Sequence, residues 1–271
     1  MTCRLATLVM LVTGGQGGRQ HFLQEPASVT AVAGERVVLP CSVQHKEGLL
    51  QWTKDGFGLG TSRDLPGYPS YSMEGGDPVR QWDLVLERVT LEDDAVFQCQ
   101  VGAGATSPSI RSQPATVTVM VPPRQPRLAK GDVPRPERGE TELEVEAEEG
   151  EEMVVTCTSE GGRPAGEITW RDEVGQLLLT DTDTSTHKME DKSWRTVSTI
   201  RMKTSYSDRE RTIFCHVTSH ISAEPLQAMV RLRMKYRPRV NLNIGDPIKE
   251  GGNLATTCEV EAFPPPFGFK W

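Results

Sequence analysis

Residues 51–60 read QWTKDGFGLG, and the tryptophan of this stretch, Trp52, stands between two cysteines, Cys41 and Cys99. This order and spacing are typical of an immunoglobulin sandwich, in which a buried tryptophan packs on a disulfide that joins two β-sheets. The stretch therefore predicts the middle of an immunoglobulin-like domain, with Trp52 in its core and a disulfide between Cys41 and Cys99.

The same pattern recurs along the chain. Cys157, Trp170 and Cys215 form a second copy, and both cysteine pairs are 58 residues apart. Cys258 and Trp271 repeat the first step of a third copy. The repetition predicts an all-β chain of tandem immunoglobulin-like β-sandwiches in an extended array, with a second disulfide, Cys157–Cys215, and a second core tryptophan, Trp170.

Composition sets the expected ends of the domains. The first 18 residues have the layout of a secretory signal peptide: one positive charge, an apolar run over residues 5–12, and small polar residues up to Gly18. An uncleaved anchor is the weaker alternative, because the apolar run is too short to span a bilayer. Two prolines, Pro122 and Pro123, cannot continue a strand ladder. We predict a signal peptide at 1–18, domain 1 at 20–121, a linker at 122–126, domain 2 at 127–234, a linker at 235–238 and the truncated start of domain 3 at 239–271.

No segment after the signal approaches about 18 consecutive apolar residues. We expect the sequence to be the N-terminal fragment of a longer protein, with a membrane span further on. The partner of Cys258 is left open.

Three local features complicate this pattern. Pro40 lacks an N–H within an apparent inner strand, which indicates a bulge or an irregular neighbouring strand. Residues 137–152 carry nine glutamates, yet Leu143 and Val145 alternate among them, which favours strands with solvated charges over an acidic binding tract. Arg209 stands where the first copy has Asp93, so we expect the lower corner of domain 2 to close differently.

The charge and the residue types exclude several functions. A net charge of -7 and a pI near 5.4 argue against nonspecific binding of nucleic acid or anionic lipid, which needs a basic surface. No histidine spacing resembles a zinc site, no glycine-rich phosphate loop occurs outside the signal region, and the cysteines of the two pairs are expected to be disulfide-bonded. We expect no catalysis, no cofactor and no metal, and a protein as the partner.

The surface around Trp52 is the remaining candidate for function. Gln51 and Thr53 flank Trp52 on a strand and are expected to point outward, with Lys54 and Asp55 just beyond. A mixed apolar and polar patch resembles a recognition surface in composition, unless its apolar residues tuck under the domain's own loops. The apolar members of this patch are Phe57, Leu59, Tyr68 and Tyr71.

The stretch at 51–60, the later Tyr71-Ser72-Met73 and Gln98-Cys99-Gln100-Val101-Gly102, and the segments GGRPA (161–165) and EITW (167–170) resemble the Neph family, also called Kin-of-IRRE-like. The resemblance is strongest to insect members of the Roughest and Dumbfounded (Kirre) type. Glu74-Gly75-Gly76 and the approach to the second F strand depart from that family.

The resemblance implies a cell–cell adhesion receptor at the plasma membrane, made in the secretory pathway and located at cell junctions. It would bind itself, as a homodimer through domain 1, and nephrin-like immunoglobulin proteins on apposed cells. Domain 1 of the family docks through its C, C′, F and G strands. This implies a binding site of Gln51, Thr53, Lys54, Asp55, Phe57, Leu59 and Gln100.

Two other classes of function stay open at this point. One is a soluble secreted ligand or decoy without a membrane anchor. The other is a secreted enzyme with immunoglobulin accessory domains, which requires a catalytic domain elsewhere in the protein.

Overall fold

The computed structural model describes residues 18–132, 139–244, 256–268 and 270. The chain divides into two compact units, Met1–Val119 (unit 1) and Met120–Trp271 (unit 2). The predicted signal peptide and Trp271 lie outside the described residues, apart from Gly18. The exact domain and linker boundaries stay predictions.

Unit 1 is a sandwich of two β-sheets. One sheet has the order β1-β4-β8-β3 with β7 beside β8, and the other has the order β2-β11-β9-β5-β6 with β10 beside β9. The strands are β1 (His21–Gln24), β2 (Val29–Val32), β3 (Val37–Leu39), β4 (Ser42–Gln44), β5 (Leu50–Lys54), β6 (Phe57–Gly60), β7 (Tyr71–Gly76), β8 (Gln81–Leu86), β9 (Ala95–Val101), β10 (Ile110–Arg111) and β11 (Ala115–Met120).

The predicted disulfide joins the two sheets of unit 1. Cys41 and Cys99 are bonded with their Cα atoms 6.4 Å apart. Trp52 is fully buried, and its indole Nε1 donates to the backbone carbonyl of Trp82 at 2.8 Å. This hydrogen bond satisfies the polar atom of the largest core side chain, so the burial carries no unpaired donor.

Pro40 divides the predicted B strand. β3 ends at Leu39 and β4 begins at Ser42, so Pro40 and Cys41 lie between two short strands. The Cys41 N–H donates to the Asp83 carboxylate at 2.9 Å, and the Cys41 carbonyl accepts from the Trp82 N–H at 2.8 Å. A side chain thus replaces the ladder bond that the proline interruption removes.

Unit 2 repeats the two-sheet plan. Its sheets have the orders β12-β14-β17-β16 and β13-β19-β18-β15, with β20 also paired to β19. The strands are β12 (Arg127–Lys130), β13 (Glu142–Glu148), β14 (Glu152–Gly162), β15 (Glu167–Asp172), β16 (Asp181–Lys188), β17 (Trp194–Lys203), β18 (Thr212–Thr218), β19 (Leu226–Ile244) and β20 (Thr256–Phe263). Cys157 and Cys215 form its disulfide, and Trp170 is buried against them. The all-β prediction of tandem immunoglobulin-like sandwiches is confirmed.

The glutamate-rich segment does form strands. β13 and the start of β14 include most of these residues, with Val145 and Ala147 buried between the charges. The charges are not all free in solvent, because Glu144 pairs with Arg233 and Glu146 pairs with Lys235 at 2.9 Å on the neighbouring β19. Both ion pairs run diagonally across the parallel pair of strands, because the register partners of Glu144 and Glu146 are Arg231 and Arg233.

The expectation that the two lower corners close differently is wrong for the backbone cap. In unit 1 the carboxylate of Asp93 accepts from the Thr90 N–H at 2.8 Å. In unit 2 the carboxylate of Asp208 accepts from the Ser205 N–H at 2.8 Å. The corner of unit 2 therefore forms the same backbone cap with the aspartate one residue before Arg209. Its ion-pair partner differs, because Asp208 pairs with the local Arg211 and Asp93 pairs with Lys54 on β5.

Candidate functional site

The open outer face of β5, β6, β9 and β10, here called the front face, contains most of the predicted site residues. β5 and β6 form a hairpin in which Lys54 pairs with Phe57. The two turn residues, Asp55 and Gly56, have φ values of 49° and 84°. Positive φ at both positions is the requirement of a tight type I′ hairpin turn, which explains the Asp-Gly sequence here.

Asp55 ties this hairpin to β9. Its N–H donates to the Val96 carbonyl at 2.8 Å, and its carboxylate accepts from the Val96 N–H at 2.9 Å. Phe57 next to the turn is 76% exposed. Asp55 therefore positions the turn, and Phe57 is the residue that the turn presents to solvent.

Gln51 and Gln100 lie side by side at the centre of the front face, as cross-strand partners on β5 and β9. The Gln51 amide lies over Gly58, where an added Cβ would come within 2.8 Å of Gln51 Oε1. In the amide orientation that satisfies its neighbours, the Gln100 oxygen accepts from Arg111 Nε at 2.9 Å and Nη2 at 3.1 Å. The centre of the face is therefore a row of amides ending in a cation.

A shallow groove of about 530 Å³ opens beside this row. Gln51 and Gln100 line it together with three residues outside the predicted site, Leu49, Ile110 and Arg111. Leu49 is 74% exposed. A sequence signal for it exists, because Leu49 and Leu50 are adjacent, and adjacent residues in extended backbone point to opposite sides.

Two predicted site residues are not available on the surface. Thr53 is only 3% exposed and Leu59 only 6%. Thr53 lies opposite the core but is covered, with its hydroxyl 3.4 Å from the Gln98 carbonyl and 3.5 Å from the side-chain amide of Gln100. The expectation that Thr53 points into solvent is wrong, because it lies against the backbone of β9 and the side chain of Gln100.

Lys54 lies in the lower corner of unit 1, away from the patch with which it was grouped. Its ammonium donates to the Tyr71 hydroxyl at 2.8 Å and lies 3.4 Å from the Asp93 carboxylate. Tyr71 also donates to Asp93 and stacks on Tyr68. Tyr71 is buried, so the expectation that it belongs to an exposed patch is also wrong.

Charge and burial shift the proton equilibria of this corner. Burial, followed by the hydrogen bond to Asp93, raises the pKa of Tyr71. For Asp93, burial acts to raise the pKa, but the hydrogen bonds from Tyr71 and the Thr90 N–H and the charge of Lys54 lower it overall. The phenol therefore stays protonated and the carboxylate ionised, so Lys54 serves the fold of unit 1.

A carboxylate clamp, formed by Glu47, holds the loop between β9 and β10 next to the groove. The Glu47 carboxylate accepts from the Thr106 N–H at 2.8 Å, the Thr106 hydroxyl at 2.5 Å and the Ser107 hydroxyl at 2.5 Å. These hydrogen bonds lower the pKa of Glu47 to about 2. A Cβ on Gly104 would lie 2.1 Å from the Glu47 Cβ, so the clamp also requires glycine there.

Gln20 supports the same loop from the other side. Its amide nitrogen donates to the Gly102 carbonyl at 2.9 Å and the Pro108 carbonyl at 2.5 Å. Its amide oxygen accepts from the N–H groups of Glu47 and Gly48 at 3.2 Å and 3.4 Å. The loop that borders the groove is therefore fixed at both ends.

The described residues contain no cluster of three or more His, Cys, Asp or Glu side chains that would hold a metal ion. In the same part of the chain, no helix has the length and apolar character needed to cross a bilayer.

The sheet orders, the two inter-sheet disulfides and the buried tryptophans define a protein of the immunoglobulin superfamily. A family model described as a CD80-like C2-set immunoglobulin domain matches residues 134–225. The irregular chiasm C-roughest protein of Drosophila melanogaster is 34% identical over 98% of this chain and 37% of its own length. Kin of IRRE-like protein 2 of Mus musculus is 34% identical over 95% of this chain and 35% of its own length.

The crystal structure of Rst D1-D2 superposes with a TM-score of 0.72 at 37% identity and covers 80% of this chain and 100% of that one. The chain belongs to the Neph, or Kin-of-IRRE-like, family. It spans a little over a third of the length of the two curated relatives, 37% and 35%.

Proposed function

We propose that this chain functions in cell–cell adhesion and recognition, as the extracellular part of a plasma-membrane receptor at cell junctions. The front face docks on a second copy of itself, forming a homodimer through domain 1, or on a nephrin-like immunoglobulin protein on an apposed cell. The observation that carries the proposal is the uncovered row of Gln51, Gln100 and Arg111 beside the groove and the exposed Phe57.

The chemistry of this face suits protein recognition. Paired amides present donors and acceptors that a partner must match, which gives specificity. Leu49 and Ile110 in the groove offer apolar area, and the exposed Phe57 adds more at the hairpin turn that borders the face. The proposed docking residues are therefore Gln51, Gln100 and Phe57, with Leu49, Ile110 and Arg111 added. Asp55 acts by shaping the turn that presents Phe57, whereas Thr53, Lys54 and Leu59 act inside the unit.

The first prediction tests this face. Gln51→Arg puts a second cation beside Arg111 in the groove, where like charge and lost amide pairing oppose docking. We expect aggregation of beads coated with the chain to be lost, and affinity to fall by at least about tenfold, the effect of removing a central interface residue. Phe57→Asp should act in the same direction.

A matched control is Leu23→Asp, since Leu23 is also an exposed apolar residue (58%) but lies on β1 in the opposite sheet. This variant should aggregate beads like the wild type. Undiminished aggregation by Gln51→Arg and Phe57→Asp, with unchanged thermal unfolding, would remove docking from the front face.

The second prediction concerns the carboxylate clamp. Glu47→Gln keeps the shape of the side chain but loses the charge that the Thr106 and Ser107 donors satisfy, and charge-assisted hydrogen bonds are roughly twice as strong as neutral ones. We expect docking to weaken by about threefold to tenfold, measured by surface plasmon resonance. The matched control is Glu35→Gln, because Glu35 likewise accepts a backbone N–H, from Val32 at 2.8 Å, in a turn away from the face. Equal docking by both variants would contradict the clamp's role.

The pH dependence of the clamp follows from its lowered pKa. A carboxylate whose pKa is depressed in the folded state contributes fully above its unfolded pKa, near 4.5, and loses its contribution as the pH falls through about 2. The clamp is therefore intact across the physiological range, and docking should not depend on Glu47 titration between pH 5 and about 8.

A further inference from the structure

The outer face of the sheet β13-β19-β18-β15 in unit 2, here called the second face, has an unexpected composition. On each strand the core residues alternate with residues that point outward, and Ile213, Cys215 and Val217 show this on β18. The outward residue between the first two is Phe214. Phe214 is half-buried, and its exposed part lies at the centre of an outer face, where apolar area marks a candidate interaction site.

Four outward residues form one row across the second face. Arg171 on β15 is in register with Phe214, Phe214 with Met229 on β19, and Met229 with Glu142 on β13. The row therefore has an apolar centre with a cation at one end and a carboxylate at the other. Because adjacent strands lie about 4.8 Å apart, the two charges are separated by about 14 Å.

The adjoining rows are polar. His216 and Gln227 are in register on one side of the central row, and Thr212 and Arg231 on the other. Phe214 also contacts the His216 ring edge-on, with centroids 6.1 Å apart. An apolar centre surrounded by polar residues is the anatomy of a protein interface.

We propose that the second face binds the second face of another copy of this chain, with Phe214 and Met229 at the centre of a two-fold interface. The charge pattern carries the choice of partner, because the row is complementary to itself. A two-fold axis parallel to the strands and midway between Phe214 and Met229 places Arg171 of each copy over Glu142 of the other. Such an interface is isologous, so the favourable pair forms twice.

The same charges select the orientation. A two-fold axis across the strands would place Arg171 over Arg171 and Glu142 over Glu142, which is repulsive. With the axis along the strands, equivalent strands of the two copies run in the same direction. The C-terminal end of unit 2 therefore lies on the same side of the interface in both copies. This arrangement suits two copies side by side on one cell, and it involves unit 2 alone.

The free charges at the ends of the row are available for this pairing. Among the described residues, Arg171 uses one guanidinium nitrogen, Nη1, which donates to the Gly175 carbonyl at 2.8 Å. Glu142 is exposed, and within the described ranges it takes part in no ion pair. The nearest glutamate on β13, Glu144, is already paired with Arg233.

The test is a charge swap in the whole chain, in a Gln51→Arg background that removes docking through the front face. Sedimentation velocity should show a concentration-dependent dimer in that background. Arg171→Glu or Glu142→Arg places like charges together twice, and each should weaken the dimer by at least about tenfold. The double variant Arg171→Glu/Glu142→Arg restores both pairs and should return the dimer to within about threefold of the background.

Asp183→Arg is the matched control, because Asp183 is exposed on β16 in the other sheet of unit 2, and it should leave the dimer unchanged. Arg171→Glu also removes the hydrogen bond to the Gly175 carbonyl and could disturb that turn. Glu142→Arg tests the same ion pair without changing this hydrogen bond. A chain that stays monomeric, or a double variant no better than either single one, overturns the inference. If only the front-face proposal is wrong, the wild type and Gln51→Arg should form the second-face dimer with the same affinity. The two proposals can therefore be contradicted separately.

Discussion

Asp93→Ala is expected to destabilise unit 1 by about 3–5 kcal/mol, the cost of breaking a buried ion pair by removing one partner. The change leaves the Lys54 ammonium part-buried without its carboxylate and removes the acceptor of the Tyr71 hydroxyl. It also removes the acceptor of the Thr90 N–H at the corner. Hydrogen exchange of core amides in β5 and β9 during urea unfolding would measure the loss for this unit separately.

Removing both charges of this ion pair should destabilise unit 1 less than removing the carboxylate alone. In Lys54→Met/Asp93→Ala no uncompensated ammonium remains, so the double variant should be more stable than Asp93→Ala, by about 1–3 kcal/mol for contacting residues. Asp208→Ala is the matched comparison in unit 2, where the same corner carboxylate pairs with the more exposed Arg211 at 2.7 Å. We expect a smaller loss there. Equal stability of Asp93→Ala and wild type would contradict a structural role for Lys54.

The same corner makes unit 1 sensitive to acid. The pKa of Asp93 is lowered in the folded state, so its contribution is complete above the unfolded value, near 3.9, and is lost as the pH falls through the folded value. Stability should therefore decline below about pH 4 in wild type. Asp93→Asn should decline less steeply over the same range.

Loss of the Cys41–Cys99 disulfide is expected to destabilise unit 1 by about 4 kcal/mol, the chain-entropy value for a closed loop of this size. The loop closes a sequence separation of 58 residues. A typical domain is stable by only about 5–15 kcal/mol, so Cys41→Ala/Cys99→Ala should leave unit 1 marginal. Guanidinium unfolding followed by limited proteolysis would measure it.

The second disulfide provides the control. Cys157 and Cys215 also have a separation of 58, so Cys157→Ala/Cys215→Ala should destabilise unit 2 by a similar amount and leave unit 1 unaffected. The chain-entropy account depends only on loop length. Losses that differ between the two units by more than about 2 kcal/mol would contradict that account and point to local packing of the sulfur atoms instead.

The architecture could be predicted from the sequence because the two cysteines and the tryptophan of each repeat meet at the centre of a sandwich. Trp52 and Trp170 are both buried beside their disulfides, as that pattern predicts. The role of Asp208 was not predicted because aligning the two repeats on their second cysteines places Arg209 opposite Asp93. Asp208 lies one residue further from Cys215 than Asp93 lies from Cys99. The connection before the strand accommodates the extra residue, because β9 begins at Ala95 after Asp93 and β18 begins at Thr212 after Asp208.

The site was harder to predict because strand alternation gives the side of the sheet to which a side chain points. It does not show whether neighbouring groups bury that side chain. Thr53 points away from the core and is still buried, since the Gln98 carbonyl and the Gln100 side chain of β9 lie against it. A register shift next to Trp52 changes the side-chain positions on β6, where Leu59 is buried. Lys54 reaches a carboxylate 39 residues away, a contact that only the folded chain reveals.

The length of β19 has a mechanical consequence. The strand runs from Leu226 to Ile244 and pairs with β18 and β13 along its first part and with β20 along its last part. Pro238 falls at a register shift between Tyr236 and Arg239, where the missing N–H breaks no regular pairing. Tension applied along this strand acts parallel to its neighbours and loads many ladder hydrogen bonds together in shear. A pull along β19 would therefore have to break many hydrogen bonds at once, whereas a pull across the strand would break them one after another.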